Sequence, residues 1–323
     1  MTITPDFQPA LFSAEAVDEE TRAFAFKIKE AERNAPARED LDFAYERGLT
    51  PGAGILPAST PAELAEERSI PGPAGALTLR VIPPRSGAVA GLYIHLHGGG
   101  FCLGSARGQD PMLEALADNA GVVAISVEYR LAPEHPFPAG LADAEAALWW
   151  AVRQGADEFG TDRIVVGGES AGANLSVGAA IRLRDRRGYT GLAGLNLSQG
   201  GYDLRMTPSM RAGKRTSIVN APTLTNHLSR YLQGRDAEHP EVSPLLADLH
   251  DLPPALFTVG TADPTLDDSL FMYTRWISSG NEAALEIYPG GVHGFTFTPT
   301  EMGRRASRRI EHFVAERCRD GGG

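Results

Sequence analysis

Two periods of apolar residues alternate along the chain, and their order predicts the fold. Short apolar runs typical of buried strands lie at 92–96, 122–129, 164–166, 194–197, 256–259 and 285–288. Longer segments in which apolar positions recur every three or four residues are typical of amphipathic helices, at 110–119, 139–153, 171–184, 267–278 and 301–316. This alternation predicts the α/β fold class, with a mostly parallel central sheet flanked by helices.

Three stretches depart from this alternation. Residues 67–70 and 77–82 predict a β-hairpin around a Pro-Gly-Pro-Ala-Gly turn. Residues 1–48 are acidic and predict two short helices separated by Ala35-Pro36, and a linker rich in Pro, Gly and Ala follows at 50–61. The polar stretch 203–241 contains three prolines and one helix-like segment at 224–232. We predict that it is an insertion over the sheet.

Composition narrows the class of protein. The chain has 323 residues, a formal net charge of −11 and 42% hydrophobic residues, which suits one large α/β domain with an insertion or cap. No basic cluster is dense enough to follow a phosphate backbone, so we expect no nucleic-acid partner. No apolar run reaches the roughly 18 residues of a membrane span, so we expect no stable membrane insertion.

Targeting signals and cysteine usage favour a cytoplasmic protein. The first arginine is Arg22, so the sequence lacks the positive region that opens a secretory signal. The two cysteines, Cys102 and Cys318, do not have metal-type spacing. Few cysteines and no visible signal predict a reducing, cytoplasmic location.

The most informative motif is Gly-Glu-Ser-Ala-Gly at 168–172, between a predicted strand and a predicted helix. A strand, a tight turn with glycine at both ends and a helix form the context of a nucleophile elbow. Such a turn strains the backbone of Ser170 and places its hydroxyl at a helix N-terminus, where free N–H groups stabilise negative charge. Ser170 is therefore the candidate nucleophile, and an ordinary turn is the alternative.

A serine nucleophile needs a base, and five histidines follow Ser170 in the sequence. His293 lies in a glycine-containing loop after the last predicted strand. Loops at the carboxyl ends of strands are where such sheets carry reactive side chains. We therefore predict His293 as the base in preference to the other four, which are His227, His239, His250 and His312.

Asp263 is the candidate for the acid that orients His293. It follows the penultimate predicted strand, so it lies at the same edge of the sheet as Ser170 and His293. An N-cap for the next helix is the alternative role. Asp267 and Asp268 are rivals, but both fall within the predicted helix and suit its positively polarised first turn.

Backbone donors for an oxyanion are expected from residues 97–100, which read His-Gly-Gly-Gly. Consecutive glycines let N–H groups approach a substrate oxygen without interference from a Cβ atom, and the Ala171 N–H completes an oxyanion hole. Two alternatives fit less well. A dinucleotide-binding pattern meets Leu103 where it needs glycine, and His95 with His97 lacks a third metal ligand at clear spacing.

Five motifs in order resemble the hormone-sensitive lipase family of α/β-hydrolases. The motifs lie at 97–101, 129–134, 168–172, 263–264 and 292–295. The resemblance as a whole covers most of the chain, from about residue 67 to the C-terminal helix. The resemblance implies an α/β-hydrolase fold in which 49–202 and 242–323 form the catalytic domain. It implies a helical cap built from 1–48 and 203–241. It also implies that Gly99 and Gly100 are the glycines that donate to the oxyanion.

The resemblance further implies a carboxylesterase for small-molecule esters of short acyl chains, with Ser170, His293 and Asp263 as its triad and without a cofactor or metal. Amides, carbamates and acetylated small molecules are alternative substrates for the same triad. Some plant hormone receptors that resemble the family have lost the base, whereas His293 is present here. One departure is that the family commonly has leucine and arginine after Asp263-Pro264. The last strand and final helix offer an edge for a homodimer.

Overall fold

The computed structural model describes residues 8–34, 60–213 and 219–319, and an eight-stranded sheet forms its centre. The strands are β1 (Glu66–Gly72), β2 (Gly75–Ile82), β3 (Gly91–Leu96), β4 (Val122–Val127), β5 (Ile164–Glu169), β6 (Gly194–Ser198), β7 (Ala255–Gly260) and β8 (Ala283–Tyr288). They lie in the order β1-β2-β4-β3-β5-β6-β7-β8. Strand β2 is antiparallel to both neighbours and the other pairs are parallel, which confirms the predicted mostly parallel sheet.

Helices cover both faces of this sheet. They are α1 (Glu19–Asn34), α2 (Asp110–Ala120), α3 (Ala139–Trp150), α4 (Ala171–Arg187), α5 (Pro208–Ala212), α6 (Ala221–Leu232), α7 (Leu266–Ser278) and α8 (Glu301–Arg319). Apolar residues of α3, α4 and α7 form the core on one face, and those of α2 and α8 form the core on the other. Strands β3 to β7 are buried throughout, which explains why they read as continuous apolar runs.

Most element boundaries follow the predictions, with one local difference. The predicted β-hairpin is confirmed as β1 and β2. Helix α3 ends at Trp150 and continues as a wide π-type turn, Ala151–Gly155, before a last helical turn, Ala156–Phe159. The helix predicted over 139–153 is therefore interrupted by an inserted residue in its hydrogen-bond ladder.

Two segments correspond to the predicted cap. The predicted insertion at 203–241 contains α5 and α6, and α6 begins where the Asn220 side chain accepts a hydrogen bond from the Thr223 N–H. Near the N-terminus, α1 is preceded by short 3₁₀ turns. The second helix predicted before residue 48, and most of the linker predicted at 50–61, lie outside the described residues. The domain boundaries stay predictions.

An ion pair attaches the end of the insertion to the sheet layer. Arg182, in the basic run near the end of α4, is only 4% exposed. Its guanidinium donates to both carboxylate oxygens of Glu241 at 2.7 and 2.9 Å. Arg182 is therefore buried against a partner from a distant part of the chain.

No helix within the described ranges is both long and apolar enough to cross a membrane.

Candidate active site

Ser170 lies in the turn between β5 and α4, as the motif predicted. Its backbone angles are φ 55° and ψ −118°, a strained combination for a residue with a Cβ atom. The flanking glycines are required by close approach, since a Cβ atom on Gly168 or Gly172 would lie 2.1 or 1.8 Å from the Leu96 carbonyl oxygen. The serine is partly exposed, so its hydroxyl is open to a ligand.

His293 and Asp263 are brought together at the carboxyl edge of the sheet. His293 follows β8 and Asp263 follows β7, which are adjacent parallel strands. The imidazole Nδ1 lies 2.9 and 3.1 Å from the two carboxylate oxygens of Asp263. Both side chains are at least nine-tenths buried. The carboxylate therefore fixes the ring orientation and leaves Nε2 as the free nitrogen.

The two rival acids are occupied elsewhere. Asp268 is buried and accepts hydrogen bonds from the Tyr202 and Asp203 N–H groups and from the Thr207 hydroxyl. Asp267 accepts from the Ser209 N–H at 2.8 Å. Both carboxylates hold the segment after β6 against α7, and neither bonds to His293.

The loop of His293 is tied to the elbow through β6. The Ser170 N–H donates to the Ser198 carbonyl at 2.9 Å. The next residue, Gln199, accepts a hydrogen bond from the Gly294 N–H through its side-chain oxygen. The Ser170 hydroxyl itself forms no hydrogen bond with any residue in the described ranges. Catalytic hydrogen bonds are often long in ligand-free sites and tighten when substrate binds.

The environment of His293 favours its protonated form. Burial lowers the pKa of the imidazole, but the negative charge and hydrogen bond of Asp263 and the charge of Glu169 outweigh burial and raise it above 6.5. A base with a raised pKa in contact with a carboxylate can take up a proton and hold it during a reaction.

The glycine run after β3 presents free backbone donors. Gly99 and Gly100 have φ of 121° and 59°, a region that a glycine occupies without strain. The Gly98 N–H is used, because it donates to Glu169. The N–H groups of Gly99, Gly100 and Ala171 donate to no group among the described residues and are open to a negatively charged oxygen.

A buried polar network under the elbow was not predicted as a unit. The Glu169 carboxylate accepts from the Gly98 N–H and from the Gln109 side-chain amide, and the Gln109 oxygen bonds to His95. Burial raises the pKa of Glu169 to about 7. The position of Glu169 next to Ser170 in the sequence was a signal for this network, but nothing in the sequence indicated that Gln109 belongs to it.

His95 and His97 do not form a metal site. Burial lowers their pKa values to about 3 and about 4, so both imidazoles are neutral. The described residues contain no group of three or more side chains suited to hold a metal ion. The His97 ring stacks on Tyr129 at 4.2 Å, and the Tyr129 hydroxyl donates to the His97 carbonyl at 2.7 Å. Tyr129 thus supports the start of the glycine run.

Comparisons with known proteins identify the family. A family model for the alpha/beta hydrolase fold matches residues 93–297. The carboxylic ester hydrolase LipN of Mycobacterium tuberculosis is 35% identical over 237 residues, covering 70% of this chain and 63% of LipN. An acetyl esterase of Salmonella choleraesuis is 30% identical over 244 residues, covering 74% of this chain and 75% of that protein. This chain therefore spans less than two thirds of LipN.

Solved structures lead to the same family. An esterase from the bacterial hormone-sensitive lipase family superimposes with a TM-score of 0.80 and 30% identity, over 94% of this chain and 99% of that chain. The range matched by the family model includes the turn of Ser170, the pair of Asp263 and His293, and the glycine run. The chain therefore belongs to the α/β-hydrolase family and, within it, to the hormone-sensitive lipase type that its five motifs resemble.

Proposed function

We propose that the protein is a serine carboxylesterase in which Ser170, His293 and Asp263 act as a triad. The observation that carries this proposal is the buried pair of His293 and Asp263, with Nδ1 2.9 Å from the carboxylate, beside a serine in a strained elbow. A pure binding protein has no need of an oriented base with a raised pKa. The esterases among its relatives and structural neighbours support the same reaction class.

The first step is acylation of Ser170. Its Oγ attacks the ester carbonyl carbon while His293 Nε2 takes the hydroxyl proton. The carbonyl oxygen becomes an oxyanion that accepts hydrogen bonds from the N–H groups of Gly99, Gly100 and Ala171. Loss of one such donor typically costs about 3 kcal/mol of transition-state stabilisation. The C–O bond to the alcohol then breaks, and His293 gives its proton to the departing oxygen.

The second step returns the enzyme to its starting state. Water attacks the acyl carbon, His293 takes a proton from that water, and the same donors bind the new oxyanion. The bond to Ser170 Oγ breaks, His293 returns the proton to Oγ, and the carboxylic acid leaves. Asp263 stays ionised and stabilises the imidazolium in both steps. No cofactor or metal takes part in this scheme.

Short acyl chains are the proposed substrate class. A side chain from α6 approaches the glycine run closely, because a Cβ atom on Gly100 would lie 2.4 Å from His227 Nδ1. A cap residue this close to the oxyanion donors restricts the space around a bound acyl group. The relationship to an acetyl esterase points in the same direction.

A series of p-nitrophenyl esters with purified protein tests this function. We expect turnover of the acetate and butyrate to exceed that of the octanoate and laurate, and Ser170→Ala to lower kcat by about 10⁶-fold. Ser176→Ala is the matched control, because it removes a serine hydroxyl of α4 whose hydrogen bond, among the described residues, goes to the Gly172 carbonyl alone. Near-full turnover in Ser170→Ala would contradict the triad, and a maximum at laurate would contradict the short-chain class alone.

Two further expectations belong with this proposal. We propose a homodimer through the outer edge of β8 and the adjacent α8, since β8 is one of the two outermost strands of the sheet. Light scattering of the eluted protein distinguishes a dimer from a monomer. We also propose a cytoplasmic location, in keeping with two buried cysteines that share no disulfide bond.

A further inference from the structure

The cap helix α6 lies directly on the segment that carries the oxyanion donors. This segment, residues 99–103, is here called the oxyanion turn, and it closes where the Leu103 N–H donates to the Gly99 carbonyl at 2.9 Å. The ring of Tyr231 in α6 stacks on the Phe101 ring, with centroids 3.9 Å apart and planes 8° apart. His227, one turn earlier in α6, packs against Gly100. The cap and the proposed oxyanion hole therefore form one packed unit.

Phe101 adopts an unfavourable backbone conformation within this turn. Its φ is 65°, in the left-handed region that bulky side chains avoid. Such a conformation persists only where the surroundings hold it. Two contacts do so here. The Tyr231 ring covers the Phe101 side chain, and the Phe101 carbonyl accepts a hydrogen bond from the Ala132 N–H at 3.0 Å.

Tyr231 is itself held in place, and its ring rather than its hydroxyl makes the contact. The Tyr231 carbonyl accepts from the Phe137 N–H at 2.9 Å, and the Phe137 ring meets the Tyr231 ring edge-on at 5.9 Å. The Tyr231 hydroxyl is buried and has no hydrogen-bond partner in the part of the chain that the structure describes. A phenylalanine at this position would preserve the stack.

We propose that Tyr231 is a positioning residue for the oxyanion hole: its ring, supplied by the cap, holds Phe101 in the left-handed conformation and thereby fixes the N–H groups of Gly99 and Gly100. This inference rests on the proposed ester hydrolysis. It assigns the cap a part in transition-state stabilisation as well as in substrate selection. Loss of the stack lets residues 99–103 relax, so the donors no longer converge on one oxygen.

Kinetics of Tyr231→Ala and Tyr231→Phe test the positioning role. We expect Tyr231→Phe to match the parent protein and Tyr231→Ala to lower kcat for p-nitrophenyl butyrate by about 10- to 100-fold, less than the 10²- to 10³-fold loss of a whole donor. The corresponding thionoester, whose sulfur accepts hydrogen bonds weakly, serves as the second substrate. Its rate should fall less, so the ester-to-thionoester ratio of kcat should decrease in Tyr231→Ala. Equal losses with both substrates would overturn the proposal.

A pair of double variants separates backbone positioning from loss of packing. The two variants are Phe101→Gly/Tyr231→Ala and Phe101→Ala/Tyr231→Ala. Both lack the same two rings, and they differ by one Cβ atom at residue 101. Glycine occupies a left-handed φ without penalty, so we expect the glycine variant to have the higher kcat, by about 5- to 30-fold. Far-ultraviolet circular dichroism establishes that both variants are folded. Equal kcat values in the pair would refute the role of the Phe101 backbone.

The outcome for Ser170 keeps the two proposals distinct. Full turnover in Tyr231→Ala, together with none in Ser170→Ala, would refute the positioning role and leave the proposed ester hydrolysis intact. Full turnover in Ser170→Ala would instead refute the proposed function, and with it the oxyanion role of residues 99–103.

Discussion

Replacement of Glu169 by glutamine should change the pH dependence of folding stability. Burial raises the pKa of this carboxyl from 4.5 to about 7, a change worth about 3 kcal/mol. Because the folded protein binds this proton more tightly than the unfolded chain, the contribution is fully present below pH 4.5 and is lost as the pH rises to about 7. The glutamine side chain does not titrate, so the variant does not lose this stability as the pH rises.

Urea unfolding at pH 4.5 and pH 8 measures the effect. We expect the free energy of unfolding of Glu169→Gln, relative to the parent, to rise by about 3 kcal/mol between the two pH values. The substitution also alters the hydrogen bonds to Gly98 and Gln109. This effect on stability is present at both pH values, so it cancels when the two differences between variant and parent are compared. Glu316→Gln, on the exposed face of α8, is the control and should show no such change. If the free energy of unfolding of Glu169→Gln relative to the parent is the same at both pH values, the reasoning is wrong.

Two further variants test the acid and the elbow. Asp263→Asn should lower kcat by about 10⁴-fold, because an amide at this position favours the wrong tautomer of His293; steady-state kinetics measure this loss, and a loss of less than tenfold would exclude Asp263 as the orienting acid. Gly172→Ala should cost about 3 kcal/mol or more in urea unfolding, since its Cβ atom would meet the Leu96 carbonyl at 1.8 Å. Gly108→Ala is the control, as its Cβ atom would have 3.7 Å of clearance, and equal stability of the two variants would refute the steric argument.

The sequence was informative where local pattern determines structure. The buried strands appeared as continuous apolar runs, and the period of apolar residues indicated α6 from residue 224 onward but not its first turn, which Asn220 caps. The parallel sheet then brings the ends of its strands to one edge. The shared position of Ser170, Asp263 and His293 was predictable for this reason, because each lies in the segment that follows a strand. Their distance from one another in sequence did not obscure that shared position.

The remaining features depend on contacts between segments that no local pattern connects. Gln109 reaches Glu169 from the start of α2, and Arg182 is buried because Glu241 returns to it from the end of the insertion. The stack of Tyr231 on Phe101 is of the same kind. Pairings of this type depend on how the insertion folds back over the sheet, and an apolar aromatic residue in the sequence does not reveal which ring it will meet.

Covalent labelling with a fluorophosphonate tests the central claim most directly, because the reagent phosphonylates a serine that is activated by a base and faces an oxyanion hole. Mass spectrometry of the digested protein should find one adduct, on the peptide that contains Ser170. The adduct should be absent from Ser170→Ala and should form much more slowly in His293→Ala. An intact protein that remains unlabelled, or one labelled at a different serine, would contradict the account.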